Sequence, residues 1–269
     1  TKTLLKRARI MHSMKGHHMK TTFTLAATAI LALSATSASA QITEGWTGEA
    51  SLTGSKTTGN TETTDIGLGL KLQKEAGEWR HKFKALADLG KVSGETNKKA
   101  YNLGYQIDRD VNERLYVYGN ADYFSDDFGA FKQGYFLGTG LGYKAILPEP
   151  LSWNLEGGLG YRSQKSRISD DNILTNPMGL ASDTTNELAA RAFSDLDYIL
   201  NDNVSAYNDT EIIYSSSDTY IWNETGLTAT LAGNLAARAS FRIDNHSDVP
   251  AGRKKTDTIT RFGIVYTMK

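Results

Sequence analysis

The residues able to do chemistry in this chain are charged and spread evenly, and few are of the types that build a compact catalytic centre. Beyond residue 40 the histidines are His81 and His246, and the chain has no cysteine, so it can build neither a thiolate metal site nor a disulfide. A serine-hydrolase arrangement needs an imidazole within reach of a serine, with an acid behind it. Asn245-His246-Ser247-Asp248 holds suitable types, but in a loop with Pro250 and Gly252, and adjacency alone does not make a triad. His81 falls in an outward phase beside Leu70 or Leu72 and Tyr105 or Ile107, has no serine at its level, and reads as an interfacial ring. Asp126-Asp127 and Asp170-Asp171-Asn172 lack the Asp-x-Asp-x-Asn-Gly spacing of a calcium loop and read as solvated loops. No metal, cofactor or catalytic residue is therefore expected.

What remains is a set of charges that alternate with apolar residues. The basic members are Lys71, Arg80, Lys82, Lys84, Arg162, Arg191, Arg238, Arg242 and Arg261. Set against them are Glu49, Asp65, Asp88, Asp108, Glu156, Asp195, Asp197, Asp209, Glu211, Glu224 and Asp244. On the inner face of a barrel a charge costs little only where water or an opposite charge meets it. Two readings follow: a selectivity lining for a small pore, or a salt-bridged plug that fills the lumen.

Both readings require strands that hold these charges on one face. Twelve segments between Glu44 and Met268 alternate with a period of two, each close to the ~10 residues a tilted membrane strand needs. The second shows Ile66, Leu68, Leu70 and Leu72 in one phase, and the last shows Phe262, Ile264, Tyr266 and Met268 against Arg261, Gly263, Val265 and Thr267. The expected fold is all-β: a twelve-stranded antiparallel transmembrane β-barrel over residues 41–269. Twelve strands lie between filled eight-stranded barrels and open porins of sixteen to eighteen, so width does not choose between pore and plug.

Connections after even strands are tight, such as Lys74 to Glu78 and Ala232 to Asn234, whereas those after odd strands are expected to be longer, the largest running from Ser163 to Thr184. Short periplasmic turns and longer outer loops are the habit of bacterial outer-membrane barrels. The four prolines, Pro148, Pro150, Pro177 and Pro250, all fall in connections. Aromatic residues sort to two rims, as a membrane barrel requires. Trp46, Trp79, Trp153 and Tyr266 mark the periplasmic rim, and Tyr101, Tyr123, Tyr135, Tyr161 and Tyr214 the opposite one. Two residues resist the pattern. Trp222 is out of phase with Leu227, so it faces the lumen or a bulge intervenes, and Asn208 would face lipid.

Residues 19–40 carry a basic start, an apolar run from Phe23 to Leu33 and Ala38-Ser39-Ala40 before Gln41, which reads as a cleavable signal peptide. Residues 1–18 read as an upstream extension outside the fold. The 30 basic and 30 acidic side chains cancel over all 269 residues, but from residue 41 onward 24 basic meet 30 acidic, which disfavours nucleic acid as a partner. No apolar run reaches the roughly 20 residues of a spanning helix.

Five stretches carry a resemblance: Gly45 to Gly54, Thr57-Thr58-Gly59-Asn60-Thr61-Glu62-Thr63, Gly138 to Tyr143, Glu156 to Tyr161, and Lys254-Lys255-Thr256-Asp257-Thr258. In this order they resemble the YdiY-like family of salt-induced outer-membrane proteins, a domain of unknown function. The resemblance implies an outer-membrane address in a Gram-negative bacterium and a link to salt or osmotic stress, and it supplies no catalytic residues. The functional expectation is a narrow pore or envelope-stabilising protein. The alternatives are a lipid- or lipopolysaccharide-modifying enzyme, or a structural or adhesive barrel. Expected partners are outer-membrane lipid and lipopolysaccharide, and the barrel-assembly machinery; Arg253-Lys254-Lys255 either meets lipid phosphate or meets nothing. As in many outer-membrane barrels, that machinery would read the last strand, here with Met268 in place of a terminal phenylalanine.

Overall fold

A computed structural model describes residues 45–60, 62–92, 95–147, 149–166 and 184–268. The segments expected to be a signal peptide and an upstream extension, with Pro148, Pro177 and Asp170-Asp171-Asn172, lie outside the described residues.

The alternating segments all form strands. They are β1 (Trp46–Thr58), β2 (Thr63–Ala76), β3 (Trp79–Val92), β4 (Glu95–Asp110), β5 (Leu115–Asp126) and β6 (Phe131–Ile146). Then come β7 (Leu151–Ser166), β8 (Thr184–Asn201), β9 (Val204–Ser215), β10 (Thr219–Ala232), β11 (Leu235–His246) and β12 (Thr256–Met268). Each pairs antiparallel with its sequence neighbours, and β12 pairs with β1 to close the barrel. The closing register sets Leu52 opposite Ile264 and Gly48 opposite Met268. Closure leaves no strand edge, so every spanning backbone N–H and C=O has a neighbour to bond, which a hydrocarbon environment demands.

The outward phase is apolar and exposed: Ile66, Leu68, Leu103, Leu137, Leu141, Leu227, Phe262 and Ile264 all project from the wall. The tight connections after even strands gather at one end, the turn end. Gly77 and Gly233 sit there at φ +63° and +54°, the left-handed geometry that two-residue hairpin turns require. Pro150 and Pro250 lie in connections, in keeping with a sheet that has no free edge.

The connections at the opposite, loop end correct the sequence-based expectation in two places. Only residues 93 and 94 separate β3 from β4, and only 216–218 separate β9 from β10. The polar run Lys91 to Lys98 reads as loop because its outward residues are hydrophilic, yet Lys91 pairs with Thr96 and Val92 with Glu95 after a bulge at Gly90. Outside an apolar band a strand needs no apolar row, so hydropathy stops marking the strand where the ladder continues. For the same reason β7 runs on to Ser166 before the longest connection.

The two distant motifs Thr57–Thr63 and Lys254–Thr258 meet at this end and clasp the β1–β12 seam. The Asn60 amide donates to the Lys254 carbonyl at 2.8 Å and to Asp257 Oδ2 at 3.1 Å, and its Oδ1 accepts from the Lys254 N–H at 2.7 Å. Thr58 and Thr258 hydroxyls add a 2.7 Å bond.

Candidate functional site in the barrel lumen

Strict alternation turns the second phase of every strand inward, and the twenty charged residues singled out above all lie on that face. Arg191 on β8 donates to Glu211 at 2.6 Å and to Glu156 at 2.7 Å, while Glu156 also accepts from Tyr116 at 2.9 Å and Gln106 at 2.7 Å. Gln106 reaches Asp108, which holds Arg80 at 2.9 Å and Lys82 at 3.0 Å. In the other direction Glu211 accepts from the Trp222 indole at 2.7 Å, and Arg242 lies 4.4 Å over that ring while bonding Asp244. A continuous network thus runs from β3 to β11. Trp222 faces the lumen without a bulge, because the β10–β11 register is unbroken from Tyr220 to Thr230.

This wall is dry. Arg191, Glu156 and Asp108 expose 4%, 2% and 0% of their side chains, so each charge is matched by hydrogen bonds rather than by water. The seam side is intermediate. Arg238 grips Glu49 through two bonds of 2.6 and 2.7 Å, and Arg261 reaches Asp88 at 2.9 Å with Glu224 at 4.0 Å.

The lysines of β2 and β3 behave differently. Lys71 is 55% exposed with Glu49 no nearer than 3.9 Å, and Lys84 is 46% exposed although Asp122 lies at 3.0 Å. Lys71 and Lys84 are direct partners in the register, which makes a short lysine lane open to water inside the barrel. The Lys71 ammonium lies 5.8 Å from the Tyr207 ring, which links β2 with β9 on another side of the lumen. Tyr207 in turn donates to Glu224 at 2.8 Å.

Sequence reasoning missed the aromatic residues that fill the lumen. Tyr116 and Tyr118 are almost wholly buried on the inner face of β5, and Phe136 on that of β6. Glycines opposite them make the room. A Cβ on Gly142 would meet the Tyr116 ring at 2.0 Å, one on Gly158 the Tyr118 hydroxyl at 2.6 Å, and one on Gly160 the Phe136 ring at 2.5 Å. The inward glycines of the Gly-Leu-Gly-Tyr repeats are therefore seats for rings lying against the wall. Inward glycines on β6 and β7 were the available signal.

The loop end is bridged across the mouth. His246 stacks on Tyr220, with centroids 4.6 Å apart, and meets the Phe131 ring at 4.7 Å. Its Nδ1 is 2.6 Å from Asp218, which also holds Arg162 at 2.9 Å. Arg253 donates to the Phe128 carbonyl at 3.3 Å from the far side of the mouth. Burial pushes the Asp218 carboxyl upward, but the His246 bond and charge, the Asp248 N–H and Arg162 together hold it down to about 2. Ser247 bonds Asp218 at 3.3 Å and caps the Thr219 N–H at 2.7 Å, so its hydroxyl serves the loop. Asp126 accepts from Lys98 and from the Phe128 and Gly129 N–H groups, and Asp127 meets Lys99 at 3.3 Å, which ties this acidic pair into the β5–β6 connection.

The aromatic residues expected at the membrane interfaces all point outward. Trp79, Tyr101, Tyr123, Tyr135, Tyr161, Tyr214 and Tyr266 are exposed, and Trp46 and Trp153 are half-buried in the same phase. Tyr123 pairs with Tyr135, whose ring lies 6.3 Å from Tyr161, so these three form a run near the loop end. His81 bonds the Tyr105 hydroxyl at 2.8 Å on the outer face.

A family model described as a protein of unknown function, DUF481, matches residues 50–268. The chain belongs to the DUF481 family. This is the YdiY-like family that its motifs resemble. No curated protein matches the chain. Among solved structures, the DUF481 chain is similar to the NanC porin at 12% identity and a TM-score of 0.51, covering 81% of this chain and 100% of that one. The KdgM porin matches at 11% identity and a TM-score of 0.46 over 82% and 99% of the two chains. The translocator domain of the autotransporter NalP from Neisseria meningitidis matches at 17% and 0.46 over 90% and 96%. The NanC likeness bears on fold alone and agrees with what the register gives, a closed antiparallel transmembrane β-barrel.

Proposed function

We propose that this DUF481 protein is a narrow, charge-lined channel of the Gram-negative outer membrane, active in the response to salt or osmotic conditions. The observation that carries the reading is the contrast inside the lumen. A protein built only to be plugged would engage all of its inner charges, yet Lys71 stands open to water with Glu49 no nearer than 3.9 Å, beside a wall whose charges are buried and paired. The lysine lane is the conducting path, and the bridged mouth around His246 and Arg253 restricts it to small solutes and ions. The turn end faces the periplasm, in keeping with short periplasmic turns, and the exposed tyrosines and tryptophans meet the two lipid interfaces. The link to salt rests on family membership.

Single-channel recording in a planar bilayer tests this. The refolded protein is expected to conduct in small steps, Lys71→Ala to enlarge the step, and Lys71→Glu to shift selectivity toward cations. Silence of all three across salt and voltage would overturn the channel and leave an envelope-stabilising barrel.

A further inference from the structure

The outward wall of β8, β9 and β10 breaks the apolar rule with a cluster, where β6 breaks it with the single Thr139, whose hydroxyl is spent on the Tyr118 carbonyl. Midway along these strands Ser194, Asn208, Thr210, Asn223 and Thr225 all share the phase of the exposed Leu188, Ile212, Tyr214, Ile221 and Leu227. The register sets Ser194 beside Thr210 and Thr210 beside Asn223 in one row, with Asn208 beside Thr225 in the next. Their side chains form a lattice. Asn208 donates to Thr225 at 2.7 Å, Asn223 donates to Thr210 at 2.6 Å and to Asn208 at 3.3 Å, and Thr210 donates to Asn208 at 3.2 Å. The Trp153 indole joins through Ser194 at 3.0 Å. One amide N–H of Asn208 is left with no acceptor among the described residues.

Hydrocarbon offers such groups nothing, and an amide without a partner there costs several kcal/mol. The lattice therefore fits a protein surface better than a lipid one. Its surroundings agree: Ala190, Ala192, Ala206 and Ala229 leave gaps between the exposed Tyr214, Ile212 and Leu227, and Leu188, 82% exposed, stands at the edge. Small residues around a polar centre are how spanning segments approach closely and bond across the contact. A carboxamide both donates and accepts, so a patch centred on two asparagines is complementary to itself across a two-fold axis, with the free Asn208 N–H of each copy meeting the Asn223 carbonyl oxygen of the other, which holds only a 3.5 Å contact from Thr225.

We propose that the β8–β10 face is the site at which two copies of this chain associate within the membrane. The absence of native cysteine makes the test direct. Ala206→Cys places one thiol beside Asn208, and Ala87→Cys places the same thiol on the outward face of β3. In lipid vesicles at low protein density under a mild oxidant, the Ala206→Cys protein is expected to give a disulfide-linked dimer about tenfold more abundantly than Ala87→Cys, the ratio that one or two membrane hydrogen bonds supply. Adding Asn208→Leu and Asn223→Leu to Ala206→Cys is expected to remove that excess while heat-modifiable migration, the sign of a folded barrel, persists. Equal crosslinking at the two positions overturns the proposal, as does an excess that survives loss of both asparagines in the folded barrel. The single-cysteine comparison decides the matter even where the triple variant fails to fold. Conductance plays no part in the readout, so a silent channel leaves the association standing.

Discussion

Two stretches of the inner wall carry the same kinds of charge and treat them in opposite ways. Around Arg191 every charge is enclosed, with Glu156 and Glu211 each bonded to the guanidinium and Tyr116 and Trp222 bonded to those carboxylates. Around Lys71 the ammonium projects into the lumen with one carboxylate at 3.9 Å. The difference lies in the neighbours as much as in the charges. Arg offers a rigid fork that two carboxylates can share, and the aromatic rings seated on inward glycines exclude water from the space beside it. Lys71 has Gly69 as its inward neighbour on β2 and Thr267 two strands away, which leave its stem uncovered. The first wall fixes the barrel's shape, and the second leaves room within it.

The largest effect that would break this comparison is expected from Glu156→Ala. It strands Arg191 with one partner and removes the acceptor of Tyr116 and Gln106, so loss of about 3–5 kcal/mol in the urea unfolding free energy of the bilayer-refolded protein is expected, as for other buried pairs cut on one side. A loss near zero would show that this wall is wetter than its burial indicates. Gly142→Val follows. Its Cβ would lie 2.0 Å from the Tyr116 ring, so displacement of the ring is expected to cost about 1–3 kcal/mol and to lower refolding yield on a heat-modifiability gel.

Next is acid. Asp218 titrates at about 2 in the fold against 3.8 for the ordinary carboxyl, so the stability it lends is full above pH ~4 and is lost as pH falls through about 2. Proteolytic cleavage of the β11–β12 loop, followed between pH 5 and 2 with an acid-active protease, is expected to rise over that window in the wild type and to be flat in Asp218→Asn. The smallest effect belongs to Lys71→Ala, at most about 0.5 kcal/mol in stability because an exposed pair of this length contributes little, even as its conductance changes. A large stability loss there would make the lysine lane part of the dry wall.

Much of this was legible in the sequence because one physical variable dominates the outer face. Ile66, Leu68, Leu70 and Leu72 must all meet apolar surroundings, so hydropathy alternates with the strand. The same variable fails at two places. Beyond the apolar band water is on both sides, and Lys91 and Val92 pair with Thr96 and Glu95 as strand with no hydropathic mark. On the inner face of β5, Tyr116 and Tyr118 alternate with Leu115 and Val117, so both phases are apolar and the choice of face rests on glycines of β6 and β7, one and two strands away. The inward charges could be named because charge tolerates one face only. Their sorting into dry and wet could not, since it depends on which strands the closed ring brings together. Asn208 was visible as an exception, and its partners Thr210, Asn223 and Thr225 became meaningful only with the register.

The clasp of Asn60 with Lys254 and Asp257 joins positions up to 197 residues apart, which makes the seam the longest loop closure among the strand pairings. Pairing of β1 with β12 admits slipped alternatives, and a slip of β12 by one residue would turn Arg261 into the bilayer while drawing Phe262 and Ile264 inward. A clasp that fits in only one alignment acts as a registration key: it rejects misthreaded rings at the moment of closure, before the wrong face is committed to lipid.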